Sequence, residues 1–289
     1  MTVDRSKERH HYVSQWYLRF WSEDWNGEDG TVWVHSIDGR KAFRTSTRTI
    51  ASEKGLHDTA NQDPDLSKVD YEDRITRLEL LYAKRWVSLW EEMANDGRRM
   101  NLARFLALQH LRHPNQISIH KEFSERIRGV ALNADPNDLI EVSDGKRSGR
   151  IVAAEVLKNT QNIPHAAKGG YFRSMRSEVE HLAGLFFERK WALITATDPT
   201  FITTDCPIGL LRNRARNQSF GFATPGTMIL FPISPHRLLM IDDDLAYPVN
   251  LLPLKKLGDL NEMIAQSAQR FAFAWGETPK RLSFPLTGE

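Results

Sequence analysis

Residues 10–21 read HHYVSQWYLRFW. Tyr12, Trp16, Tyr17, Phe20 and Trp21 are interrupted by His10, His11, Ser14, Gln15 and Arg19. The run is too polar for a plain core segment and too aromatic for a solvated tail. It reads as an amphipathic entry into the fold. Ser14 stands where an N-cap belongs, which predicts a short helix from Gln15 to about Trp21. His10 and His11 then fall on the loop before that helix, where backbone donors point outward and anions are favoured. On this reading the rings anchor the helix and the polar residues sit at its exposed mouth.

Working outward, SEDWNGEDG (22–30) is a turn-rich break. TVWVHSI (31–37) and RKAFRTST (40–47) flank Asp38-Gly39, a strong short-range signal for a β-hairpin. HDTANQDPDLSKV (57–69) is polar and contains a proline, so a loop is expected. From Tyr71, the residues Ile75, Leu78, Tyr82, Trp86, Leu89 and Met93 step by three and four, the stripe of a long amphipathic helix that ends at Asn95-Asp96-Gly97. A second helix is expected from Asn101, as cap, to Leu111, closed by Pro114, and a third over Gln116–Val130. NADPNDLIEVSDGKRSGR (133–150) reads as a mobile loop or linker. Helical patterns return at 151–160 and 173–189. WALITAT (191–197), FITTD (201–205), TMILFPIS (227–234) and RLLMIDD (237–243) are short β-rich runs, and a terminal helix is expected over 257–273.

Strands and helices are grouped, not alternating, so the fold class is α+β. The expectation is a single domain over 1–289, with an N-terminal β-hairpin, a predominantly helical middle, a small antiparallel sheet in the last third and a C-terminal helix. Length and composition agree: 289 residues, 40% hydrophobic and 26% charged, can bury a sizeable core. A net charge of +2 does not by itself call for nucleic acid or an anionic membrane. The one cysteine, Cys206, excludes an intrachain disulfide and a multi-cysteine zinc site. The first 30 residues hold no apolar run long enough for a signal peptide, and no 18-residue apolar run occurs anywhere. A soluble, cytoplasmic protein without a membrane partner is expected.

Four segments together resemble a bacterial family of proteins of unknown function, DUF4238. HHYVSQWYLRFW resembles its His-His-Tyr-Val-Pro-Gln-Phe-Tyr-Leu signature, and LARFLALQHLRHP (102–114) its helix ending in Gln-x-x-Arg-x-Pro. FITTDCPIG (201–209) resembles its Phe-Ile-Thr-Ser-Asp-Asn-Pro-Val segment, and FPISPHRLLMI (231–241) its Pro-Leu-Ser-Pro strand. Ser14, Cys206 and Ile208 depart from the pattern, which has Pro, Asn and Val there. The matches run in the family's order across nearly the whole chain. The resemblance implies one fold and a set of positions; it implies no reaction.

Each of those positions has a functional and a structural reading. His10 and His11 can act as acid or base, ligate a metal or bind phosphate, or one can be a core histidine with its neighbour exposed. Glu79 borders the buried stripe and so needs a cation; Arg112, beside Gln109 on the next helix, is the natural partner. Thr203, Thr204 and Asp205 end a buried strand, where they can serve a site or close a turn. Cys206 carries no feature that would activate its thiol. No dinucleotide, P-loop or nucleophile-elbow motif occurs. Lys146, Arg147 and Arg150, with Arg212, Arg214 and Arg216, form two basic segments and hint at a polyanion.

The expected site therefore combines His10, His11 and Asp205 as catalytic groups with Gln15, Glu79, Gln109, Arg112 and Thr204 as substrate-binding groups. The expected function is hydrolysis of a phosphate-containing substrate, RNA or a nucleotide. A histidine would be acid or base, Arg112 would bind the phosphate and Asp205 would be the base or orient His11; a divalent metal is the candidate cofactor. The alternative is a non-catalytic binding or interaction protein whose polar set is a structural network. Geometry separates them, since catalytic groups should converge on an open cleft.

Overall fold

The computed structural model describes residues 9–27, 29–57, 71–143, 148–212, 221–243 and 254–277. In chain order the first elements are β1 (Arg9–His11), α1 (Gln15–Leu18), β2 (Thr31–Ser36), β3 (Ala42–Ser46) and β4 (Ser52–Lys54). The helices α2 (Tyr71–Glu91), α3 (Asp96–Leu111) and α4 (Pro114–Leu132) follow, then β5 (Leu139–Ser143) and β6 (Ser148–Val152). Next come α5 (Ala153–Asn159), α6 (Ile163–Phe187), β7 (Lys190–Thr195), β8 (Thr203–Thr204) and β9 (Gly209–Arg212). The chain closes with β10 (Thr227–Ser234), β11 (Arg237–Asp242), α7 (Leu254–Ala265) and β12 (Phe271–Ala274). The class is α+β, as expected.

The Asp38-Gly39 hairpin forms. Val34 of β2 faces Phe43 of β3, Gly39 takes φ +68°, and the Asp38 carboxylate accepts from the Arg40 backbone. A left-handed position of that kind costs glycine little. The hairpin does not stand alone, however. It belongs to a four-stranded sheet in the order β3-β2-β12-β8, so strands 235 or more residues apart in the chain, β2 and β12, pair within one sheet. A second antiparallel sheet runs β7-β11-β10-β9.

Several boundaries differ from expectation. The C-terminal helix ends at Ala265, and Phe271 opens β12. The helical spacing at 268 and 271 loses to a ladder, because Phe273 pairs with Val34 on one side and Thr203 on the other. Within 133–150, residues 139–143 and 148–152 form an antiparallel pair, although residues 144–147 lie outside the described set. Asn101 lies inside α3. The cap is Asn95, whose side chain accepts from the Arg98 backbone at 3.1 Å. Pro114 opens α4, where a missing N–H is harmless, and His113 caps it. Leu78 is 40% exposed and so departs from the stripe that buries Ile75, Tyr82, Trp86 and Leu89. The loop expected over 57–69 lies outside the described residues after His57.

At the centre of the largest core cluster sits α1, extended by a single 3-10 turn over Arg19–Trp21. Trp16 meets Trp86 of α2 at 5.1 Å and Phe105 of α3 at 5.3 Å between ring centroids, while Tyr17 stacks on Phe231 of β10 at 5.3 Å. The Tyr17 hydroxyl bonds Thr203 Oγ1 at 2.7 Å and donates to the Pro232 carbonyl at 2.6 Å. Trp21 Nε1 donates to the Phe201 carbonyl at 2.8 Å. The opening stretch thus packs against the 201–204 strand, as two polar islands in apolar surroundings require.

Candidate functional site

The helical Gln-x-x-Arg segment lies against the opening stretch. Gln109 is the buffer between them: its Oε1 accepts from the Ser14 hydroxyl at 3.1 Å and backbone at 3.3 Å, and its Nε2 donates to the Tyr12 carbonyl at 2.6 Å. Arg112, 1% exposed at the end of α3, donates to Ser14 Oγ at 3.0 Å, to the His11 carbonyl and to Glu79. The Glu79–Arg112 pair inferred from helix spacing is therefore formed, with the Glu79 side chain 18% exposed. Ser14 does not cap α1, because its hydroxyl is consumed by Gln109. A hydroxyl with no exposed surface is satisfied on both sides here, donating to Gln109 and accepting from the buried Arg112 guanidinium.

The two histidines part company. They lie on β1 instead of a loop, with His10 opposite Glu53 and His11 opposite Ser52. Alternation along a strand sends neighbours to opposite faces. His10 is 2% exposed; its Nδ1 accepts from the His57 backbone at 3.0 Å, its ring stacks on His57, and its Nε2 meets no partner among the described residues. His11 is half-buried, with Nε2 at 3.2 Å from the Thr47 carbonyl. Burial, then the Arg112 charge, lower its pKa, so it is neutral at neutral pH. Gln15 is half-buried beside this group, its Nε2 without a partner among the described residues.

Asp205 occupies a different setting. It is 1% exposed and receives the backbone N–H groups of Gln269 (2.8 Å), Arg270 (2.9 Å) and Phe271 (3.2 Å). Burial raises its pKa against the pull of those donors. Both oxygens are spent on the turn before β12, so Asp205 does not orient His11. It does act electrostatically on Tyr12, whose hydroxyl is pushed up to about 12, chiefly by burial. Thr204 bonds Ser267 at 3.1 Å and accepts from the Cys206 backbone at 3.1 Å. Burial raises the Cys206 thiol to about 12, which leaves it un-ionised at neutral pH. Among the described residues no group of three or more His, Cys, Asp or Glu could hold a metal ion.

Open space lies next to the network. A cleft of about 320 Å³ is bounded by the end of β4 and by the first turns of α4 and α6. Lys54, Lys121 and Lys168 line it with Glu53. Lys168 Nζ donates to the Gly55 carbonyl at 2.7 Å and Lys121 lies 3.7 Å from Glu125. Both helices enter through a proline, and their positive dipole ends add to the ammonium charges. Sequence reasoning missed these lysines, because isolated lysines carry no spacing signal. Of the basic segments it favoured, Arg150 is exposed on β6, and Lys146, Arg147, Arg214 and Arg216 lie outside the described residues.

No helix among the described residues is long and apolar enough to cross a membrane. A family model described as Protein of unknown function (DUF4238) matches residues 9–275. No curated protein and no solved structure matches the chain.

Proposed function

The chain belongs to the DUF4238 family of proteins of unknown function, and from that premise we propose that it is a binding protein for a phosphate-bearing ligand, a nucleotide or a nucleic-acid end. One observation carries the reading: Lys54, Lys121 and Lys168 line a single cleft in which Glu53 is the one carboxylate among the described lining residues, with Glu125 beside Lys121. Phosphate is the common biological anion that such a wall suits, and a lysine binds it as a point charge. The signature residues are then the frame of the cleft. β1 braces β4, and the Arg112–His113 corner sets where α4 begins. Arg112 and Asp205, the groups best suited to phosphate binding and base catalysis, are buried and engaged with protein partners, Arg112 through both terminal nitrogens and Asp205 through both oxygens, which weighs against hydrolysis.

Hydrolysis keeps one argument in its favour, the neutral, half-open imidazole of His11 near Glu79 and Arg112. One experiment addresses both readings. Wild type and a Lys54→Glu, Lys121→Glu, Lys168→Glu variant are titrated calorimetrically with adenosine monophosphate and with a short oligoribonucleotide, and phosphate release is followed. The expected result is salt-sensitive binding, about tenfold or more weaker in the variant, a loss of some 1.4 kcal/mol or more, without turnover. Equal affinity in both proteins would remove the cleft reading. Phosphate release abolished by His11→Ala would restore the hydrolase.

A further inference from the structure

Where α4 crosses α6, a second cavity of about 360 Å³ has apolar walls that include Leu111, Ile119, Phe123 and Met175. Two polar groups of complementary chemistry face each other on its lining. His120 of α4 places Nε2 3.3 Å from Ser174 Oγ of α6. Residue 170, one turn earlier on α6, is glycine, which leaves the imidazole room; a Cβ there would stand 3.2 Å from His120 Nδ1, close enough to push the ring by a few tenths of an ångström. Glycine inside a helix costs about 1 kcal/mol relative to alanine, so the clearance is bought at the expense of helix stability. Both side chains are half-buried, which leaves each accessible from the cavity.

We propose that Ser174 and His120 form a nucleophile–base pair acting on esters of apolar carboxylic acids, a second activity independent of the phosphate cleft. The apolar walls receive the acyl chain. Ser174 Oγ adds to the ester carbonyl carbon while its proton passes to His120 Nε2. The carbon–oxygen bond to the alcohol then breaks, and the imidazolium returns the proton to the departing alkoxide, leaving an acyl-serine. Water adds to that carbonyl, giving one proton to His120. The Oγ–acyl bond breaks, the carboxylic acid leaves, and Oγ recovers the proton. Gln116, on the same wall, offers the carbonyl oxygen an amide donor by exchanging its 3.1 Å contact with His110. Ser174 Oγ also lies 3.2 Å from the Tyr171 carbonyl of its own helix, so attack uses the rotamer in which the hydroxyl proton turns to the imidazole.

His120 is neutral at neutral pH: burial lowers its pKa, Glu178 raises it and Arg173 lowers it. A neutral imidazole is the form that can accept the proton.

The test uses the full chain, an alkyl fluorophosphonate probe with peptide mass spectrometry, and p-nitrophenyl butyrate as substrate. The expected result is a label on Ser174 and ester hydrolysis, both reduced about a hundredfold or more in Ser174→Ala and in His120→Ala. Gly170→Ala should slow labelling by displacing the imidazole. Ser174→Ala suits a helix and retains the fold, so it decides the matter should His120→Ala unfold. A label on another residue, or a Ser174→Ala protein that hydrolyses at the wild-type rate, would overturn the proposal.

Discussion

Arg112 shows at the residue scale how burial converts a charge into a stability determinant. Its guanidinium has almost no exposed surface and is held by Glu79, Ser14 and the His11 carbonyl. Removing one partner of a buried pair leaves the other uncompensated, so Arg112→Ala should cost about 3–5 kcal/mol. Urea unfolding of that variant checks it, and an unchanged midpoint would mean that the pair contributes nothing. His11 sits a few bonds away with the opposite expectation. Half-buried and bonded to one carbonyl, it should tolerate His11→Ala at about 1 kcal/mol. Trp16→Ala, which deletes a ring packed between Trp86 and Phe105, should cost roughly 3–5 kcal/mol. A His11→Ala protein as unstable as Trp16→Ala would make that imidazole part of the core frame.

At the scale of elements, the start of α4 is the pH-sensitive part of the fold. His113 Nδ1 accepts from the Asn115 backbone as the helix cap, and a proton on that nitrogen would remove the acceptor. Burial brings both His110 and His113 down to about 4 from the 6.5 of a free imidazole side chain. The unfolded chain therefore takes up these protons first. Their contribution is complete above pH 6.5, declines as pH falls toward 4, and is absent below that. Each is worth up to roughly 3 kcal/mol over the window. Asp205, raised by burial, acts in the opposite sense and favours the fold as pH falls through its pKa. Urea midpoints at pH 7.5 and 4.5 should differ clearly in wild type and less in His113→Asn, which retains a capping oxygen but does not titrate. At the other end of the helical middle, Asn95→Ala removes the α3 cap and should cost about 1 kcal/mol.

For the whole molecule the decisive bonds join distant parts of the chain. Tyr17 and Pro232 are 215 residues apart, and Ser14 and Gln109 are 95 apart. Tyr17→Phe keeps the ring packing but strands the Pro232 carbonyl and the Thr203 hydroxyl, so a cost of about 1–3 kcal/mol is expected in thermal unfolding. Read alone, the amino-acid order determined the α+β class, the Asp38-Gly39 hairpin, the helical middle and the Glu79–Arg112 pair. These rest on period, turn chemistry and the need of a half-buried charge for a counterion, all local to one or two elements. Only the tertiary structure decided that His10 and His11 face opposite ways, that Phe271 leaves its helix for a sheet shared with β2, and that Asp205 clasps a turn. It also brought Lys54, Lys121 and Lys168, from three elements, to one cleft. The physical reason is that a side chain's burial and its hydrogen-bond partner are set by whichever distant backbone closes over it, and no spacing along the chain encodes that.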